Sequence, residues 1–470
     1  MALFHLPDAP ASPDLDVFAA GLSGRLIRPG DDDYETAREV HNAVYNRRPL
    51  AIVQAADTAD VALTVDLARD YGIDLAIRSG GHSVAGYGTV DDGILLDLSG
   101  LRALHIDPER RLAWAQPGLT AGEFTAAAHA HGLATPFGDA ATVGLGGITL
   151  GGGIGWLVRK HGLTIDSLVA AEVVTADGQV VIASDDENAD LFWAIRGGGG
   201  NFGVVTRFRY RLHPVDMIIG GALVLPATPE VLRGLVPVAA AAPEELTTIT
   251  SVMAIPPLPM IPASEHGKLA VIVLAVFAGD LDAGQAAMEP FRALATPIAD
   301  LIGPMPYPAI YQLTAAGDMR APGVIRSTFM DEIDDETVAE ILGRMAAPSS
   351  PYAMAQIRVL GGAMARIPAD ETSFAYRDRL VMFSLITPYL DLAESAAHEA
   401  WTNDFMATLR PKARGVYSNF LGDEGELRVR EAYPGETYAR LADIKRRYDP
   451  TNLFRLNQNI KPAASPRYAI

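Results

Sequence analysis

IRSGGHSVAGYG, residues 77–88, is the stretch whose reading decides the fold. Gly80 and Gly81 let backbone N–H groups approach an anion with no Cβ in the way, as in loops that cradle phosphates. The run IDLAIRS that leads into it reads as a strand. A helix precedes that strand, capped by Thr58, running to about Tyr71 and ended by Gly72. PLAIVQAA, before the helix, reads as another strand, so the loop closes a β-α-β unit. By themselves the two glycines also fit an ordinary strand-end turn, and His82 fits an ordinary loop histidine.

A second stretch, GLGGITLGGGIG at 144–155, holds seven glycines in twelve residues. So much lost chain entropy is explained better by backbone contact with a ligand than by a tight loop crossing. ILLDL, ALHID and LAWAQPG read as short strands between the two stretches. After them, AAEVVTADGQVVIAS reads as a hairpin with a tight primed turn at Asp177-Gly178. GGGNFG at 198–203 has the G-x-G-x-x-G spacing, but a helix-like DLFWAIR precedes it and a strand-like GVVTRF follows. A dinucleotide-binding turn needs the reverse order, so a nicotinamide fold is rejected.

Upstream, residues 1 to about 45 read as an amphipathic leader ending in a helix-like AREVHNAVYN. Downstream of Pro214 the texture changes. Strands near 218–225, 247–255, 268–277, 325–330, 353–360 and 379–387 interleave with helices near 229–242, 282–295, 335–347 and 390–410, which predicts an α+β domain on a mostly antiparallel sheet.

A chain of 470 residues exceeds what one core holds, so at least two domains are expected. The formal charge of −19 and the absence of any long basic run argue against nucleic acid and anionic membranes as partners. With no cysteine, disulfides and thiolate chemistry drop out. His129 and His131 sit at a helix end, where a basic group complements the dipole, so no metal is expected. The opening MALFHLPDAPASPDLD lacks a basic n-region and a long apolar core, and the longest apolar run, 269–278, is too short to span a bilayer. A soluble, cytoplasmic protein is expected.

Together, IRSGGHSVAGYG, QPG at 116–118, TVGLGGITLGGGIGWLVRKHGLTIDSL at 142–168, WAIRGGGGNFGVVT at 193–206 and YDPTNLFRLNQNI at 448–460 resemble the berberine-bridge-enzyme-like family of FAD-linked oxidases. The resemblance covers roughly 45–215 and 415–462. It implies a two-domain, PCMH-type FAD-binding fold of α+β class: an FAD-binding domain at 1–215, a substrate-binding domain at 216–413, and a C-terminal segment at 414–470 returning to the first domain.

The resemblance also implies roles. His82 matches the histidine joined to the flavin 8α-methyl carbon, and Arg78, Ser79, Gly80, Gly81 and Ser83 would cradle the pyrophosphate. Gly118, Asp139, Thr142, Val143, Gly144, Gly147, Gly151 and Gly152 would line the cofactor, Val205 would pair with the adenine, and Asn457 and Asn459 would contact the flavin. Ala140 stands where many members carry a second, cysteinyl anchor, so the link is expected to be single; singly linked members include an oxidase of an amine. Phe420 follows Tyr417-Ser418-Asn419 where several members place a catalytic tyrosine, and it cannot take a proton.

The resemblance implies that the strand AMAQIRVLGGA faces the flavin ring, and period-two alternation puts Gln356 and Arg358 on one of its faces; Arg358 stays charged, so it suits an anionic substrate or reduced flavin rather than a base. Tyr417 and Asn419 are candidates to orient substrate, with Tyr311 and Tyr376 behind them. Val143 matches a position where, in the family, a bulkier side chain goes with poor reaction with oxygen, so the resemblance implies an oxidase here. The expected activity is oxidation of a small organic substrate, an alcohol, an amine or a natural-product intermediate, with oxygen reduced to hydrogen peroxide, by a monomer or homo-oligomer. A dehydrogenase using another acceptor and a redox-neutral flavin-binding protein are the alternatives.

Overall fold

The computed structural model describes residues 13–464; residues 1–12 of the leader and 465–470 of the C-terminal segment lie outside them. Asp57, rather than Thr58, caps the first long helix: its carboxylate accepts from Asp60 N, Thr58–Tyr71 follows, and Gly72 ends the helix in left-handed conformation at φ 67°. Thr58 instead gives its hydroxyl to Glu172 at 2.9 Å. Val61, Val65 and Ala68 bury one face of the helix against the strands, while Leu63 stays exposed.

Those strands form a four-stranded sheet in the order Arg25–Ile27, Ala51–Gln54, Ile94–Asp97, Leu75–Arg78. Ile94–Asp97 lies between the two strands of the expected β-α-β unit, parallel to both. The leader therefore joins the fold earlier than its sequence suggests, because Arg25–Ile27 pairs with Ala51–Gln54. Its helix-like end is not a helix beyond Tyr34–Ala37. The backbone N–H groups of His41 and Ala43 are spent on Gly81 O and Ala321 O, bonds that a helix would forbid.

A second, antiparallel sheet runs Leu104–Asp107, Leu112–Ala115, Val204–Arg211, Leu168–Val174, Val180–Ser184. Its last two strands are the expected hairpin. The turn is looser than a two-residue primed turn: Thr175 N reaches Gln179 O, and within the loop only Gly178 has positive φ, at 79°. Helix Ala189–Ile195 precedes the GGGNFG stretch and strand Val204–Arg211 follows it, the order that excludes a dinucleotide turn.

The third sheet is antiparallel throughout, ordered Ala299–Asp300, Met217–Pro226, Leu269–Phe277, Leu246–Ala254, Met354–Val359, Val381–Pro388, Gly323–Met330, with Gly303–Pro306 beside the second strand. Period-two alternation gives it two faces. Val273, Ala355, Ile357, Phe383 and Leu385 pack against Val231, Leu235, Phe291, Ile341 and Phe405 of the covering helices. The opposite face carries Gln356 and Arg358, and its Ile249 and Val276 share a core with Phe208 and Tyr210 of the second sheet. Among the described residues no helix is long and apolar enough to cross a membrane.

The C-terminal helix Glu436–Tyr448 ends in a fully buried ion pair, Lys445–Asp449 at 2.7 Å. Lys445 Nζ also donates to Asn201 O at 2.6 Å and Phe454 O at 2.8 Å, and Asp449 accepts from Leu453 N and Phe454 N. Burial pulls the lysine down to about 8. This node ties residues 449–460 to the glycine turn at 198–203. Lys445→Met leaves Asp449 buried without its cation and is expected to cost about 3–5 kcal/mol. The check is the urea midpoint of unfolding; an unchanged midpoint would show that the pair carries no weight.

Candidate active site

The two glycine-rich stretches meet backbone to backbone. A Cβ on Gly80 would lie 2.3 Å from Gly144 N, and one on Gly144 would lie 2.3 Å from Gly80 N. Ser79 pegs the crossing, donating to Pro117 O at 2.5 Å and accepting from Gly146 N at 3.2 Å. The Arg78 guanidinium pairs with the buried Asp97 at 2.9 Å and bonds to Glu39 O and Ala37 O. The side chains of Arg78 and Ser79 thus help to build the loop. Ser83 Oγ accepts from Tyr87 N.

Most glycines of 144–155 are required by protein packing, whatever else they meet. An added Cβ would strike Asn419 Oδ1 at Gly151, the Phe374 ring at Gly152, Thr164 Oγ1 at Gly153 and Phe137 O at Gly155. Gly118 likewise sits against Leu98 O and Leu101 O. Gly147 differs, because a Cβ there would meet nothing within 4 Å. Sequence spacing cannot separate these causes, since both demand the missing Cβ.

His82 follows Gly81, which turns at φ 72°. Its Nε2 lies 3.0 Å from Thr142 Oγ1, so the crossing brings the histidine of one stretch to the threonine before the other. The His41 ring stacks on it, 4.1 Å between centroids and 19° from parallel. Burial first, and the neighbouring His41 second, push His82 down to about 3, so the imidazole is neutral at ordinary pH.

Gln356 and Arg358 share a face, as the alternation requires: Gln356 Oε1 accepts from Arg358 Nε at 3.0 Å and Nη2 at 2.7 Å. Arg358 also pairs with Asp139 at 2.8 Å and lies 5.6 Å above the Phe420 ring. Asp139 thereby joins the first half of the chain to the third sheet, and its backbone carbonyl accepts from Thr314 Oγ1. Val143, half-buried, receives Ala121 N at its carbonyl.

Tyr417 and Asn419 are struts. Tyr417 Oη accepts from Gly153 N at 3.0 Å, Ile154 N at 3.3 Å and Asn419 Nδ2 at 2.9 Å, and Asn419 also reaches Ile148 O. Burial raises the phenol above its ordinary value, so it holds its proton. Tyr376 gives its hydroxyl to Glu431 O, and Tyr311 Oη lies 3.3 Å from Thr125 Oγ1.

Two groups escaped the sequence reading. His41 lay in a segment read as helix, with nothing to link it to His82. Ser251, Gln356, Ser384 and Ser327 stand in register across four strands, with Ser384 Oγ and Ser327 Oγ buried and unpartnered among the described residues. Each stands on a separate strand, and the sequence alone does not report cross-strand register.

The residues fit FAD. Asn457 Oδ1 and Asn459 Oδ1 are buried acceptors with no partner among the described residues, while Asn457 Nδ2 donates to Gly200 O and Phe454 O. Gly147 and Gly200 present backbone with open space beside it. Val205 pairs with Val173 on one side, and the neighbouring strand on the other side is in register only with Phe208 to Arg211. Buried acceptors and glycine backbone of this kind suit the ribityl hydroxyls, phosphates and adenine of such a cofactor.

Comparison with known proteins agrees. A family model described as FAD binding domain matches residues 49–184, and one described as berberine and berberine like matches residues 416–461. The chain is 31% identical over 455 residues to (R)-6-hydroxynicotine oxidase of Paenarthrobacter nicotinovorans, covering 94% of this chain and 98% of that protein. It is 30% identical to berberine bridge enzyme-like 4 of Arabidopsis thaliana, covering 88% and 85%. The crystal structure of 6-hydroxy-D-nicotine oxidase from Arthrobacter nicotinovorans superposes with a TM-score of 0.85 at 27% identity, covering 94% and 98%.

Two outcomes are expected from this geometry. Tyr417→Phe strips the acceptor from Gly153 N and Ile154 N and should cost about 1–3 kcal/mol in thermal or urea unfolding; a wild-type melting curve would show that the strut is dispensable. Burial depresses His161 to about 3 and His213 to about 4 as well as His82. Their unfolded values lie near ~6.5, so the unfolded chain binds more protons between there and pH 3–4. Stability should be full above that window and decline as pH falls through it, whereas a urea midpoint flat from pH 7 to 4 would contradict the depressed values.

Proposed function

The chain belongs to the berberine-bridge-enzyme-like family of FAD-linked oxidoreductases, and from that premise we propose that it is an oxidase holding its flavin covalently, and singly, through His82. The observation that carries this reading is His82 itself: a neutral imidazole fixed by Thr142 at the crossing of the two glycine-rich stretches. Ala140, beside Asp139, offers no second nucleophile, which supports a single link.

Bound FAD supplies hydride acceptance from a substrate carbon and two-electron transfer to oxygen, which yields hydrogen peroxide. The chain's own residues supply position and charge. His82 holds the cofactor, Asn457 and Asn459 accept hydrogen bonds from it, and the backbone of Gly80, Gly81 and Gly147 admits its phosphates. Substrate enters over the sheet face of Gln356 and Arg358. Because Asp139 neutralises Arg358, that face favours a substrate without a large net charge and orients it by hydrogen bonds. The substrate is a small organic molecule of the alcohol, amine or natural-product class. The oxidase of 6-hydroxynicotine among the relatives supports an amine within that range.

Acid-precipitated protein should stay yellow, with the flavin mapping by mass to the peptide that holds His82; flavin released wholly into the supernatant would refute the link. His82→Ala should keep the fold, lose all acid-stable flavin and turn over at least roughly tenfold more slowly. A peroxide-release screen over amines, secondary alcohols, sugars and phenols identifies the substrate, and slow reoxidation in air would point instead to a dehydrogenase.

A further inference from the structure

An imidazole carried on one Cβ turns about two soft torsions, so a single hydrogen bond at its edge does not set the direction in which its other nitrogen points. At His82 the bond from Nε2 to Thr142 Oγ1 fixes the edge. The plane of the ring is fixed by something else, the face of His41 stacked at 4.1 Å and 19°.

His41 is itself gripped from two sides. Its N–H donates to Gly81 O at 3.0 Å, inside the loop that carries His82. Its neighbours reach the other half of the chain: Asn42 Nδ2 donates to Gly323 O at 3.0 Å, Ala43 N to Ala321 O at 3.2 Å, and Arg320 Nε to Val40 O at 3.0 Å. The stack is therefore held by both halves at once, and residues 320–323 lead directly into the strand Gly323–Met330 of the third sheet.

We propose that His41 is a positioning residue for attachment of the flavin to His82, its flat face setting the plane in which the His82 imidazole meets the 8-methyl carbon. The inference rests on the reading of His82 as the anchor. Attachment loses the imidazole N–H and one C–H of the 8-methyl group and forms one N–C bond. The two protons and two electrons leave on molecular oxygen as hydrogen peroxide. The attacking ring must be neutral, and two imidazoles face to face resist double protonation, which works in the same direction as burial.

Two variants of similar volume separate a flat face from mere filling, His41→Phe and His41→Leu. Full-length protein of each, and of wild type, is incubated as apoprotein with FAD in air. Acid-stable flavin on the peptide that holds His82 is followed by mass over time, with non-covalent FAD binding and melting measured alongside. His41→Phe should attach flavin close to the wild-type rate, and His41→Leu about tenfold more slowly, while both bind FAD and melt like wild type. Equal rates for the two variants, whether both unchanged or both slow, overturn the proposal. Absence of acid-stable flavin in wild type itself refutes the anchor reading first, and the inference with it, so the two failures are told apart.

Discussion

Where Gly80 passes Gly144, two backbones approach so closely that neither residue has room for a Cβ. The constraint is steric and it sets the site. It brings Thr142 to His82, places Ser79 between Pro117 O and Gly146 N, and puts Val143 O within reach of Ala121 N. A side chain on either glycine would push the loops apart, and the histidine would lose the threonine that fixes its edge.

Buried polar pairs hold the remaining parts in one arrangement. Arg358–Asp139 and Arg377–Asp166 join the third sheet and the loop between two of its strands to the first half of the chain, and Lys445–Asp449 fastens the C-terminal segment to the turn at 198–203. Such pairs contribute little net stability against apolar replacements, yet breaking one leaves a buried charge uncompensated. They therefore penalise every other way of docking the same elements. Tyr417 acts alike without charge, because two backbone N–H groups depend on its oxygen.

Much of this was legible in the residues. Alternation placed the six long strands of the third sheet and its four covering helices within a few residues, and the order helix-glycines-strand excluded a dinucleotide turn. Gln356 and Arg358 share a face, as period two demands. The motifs pointed to the FAD-linked family that the comparisons establish. Some signals have two physical causes. Glycine permits close approach of a ligand and of the chain itself, and at Gly118, Gly151, Gly152, Gly153 and Gly155 the partner is the chain. The Arg78 guanidinium pairs with Asp97, a partner the sequence did not reveal. The AREVHNAVYN segment has helical periodicity, but its backbone bonds go to Gly81 and Ala321.

The sequence by itself determined the fold class, which follows from alternation, capping and the order of elements, and the FAD-linked family, which follows from the resemblance its motifs carry. Only the tertiary structure decided who touches whom. His41 and His82 are 41 positions apart in the chain and Arg358 and Asp139 are 219 apart, and no period or propensity reports on such pairs. They are set by how the sheets and the loops between them pack around glycines such as Gly80 and Gly144, where a Cβ has no room.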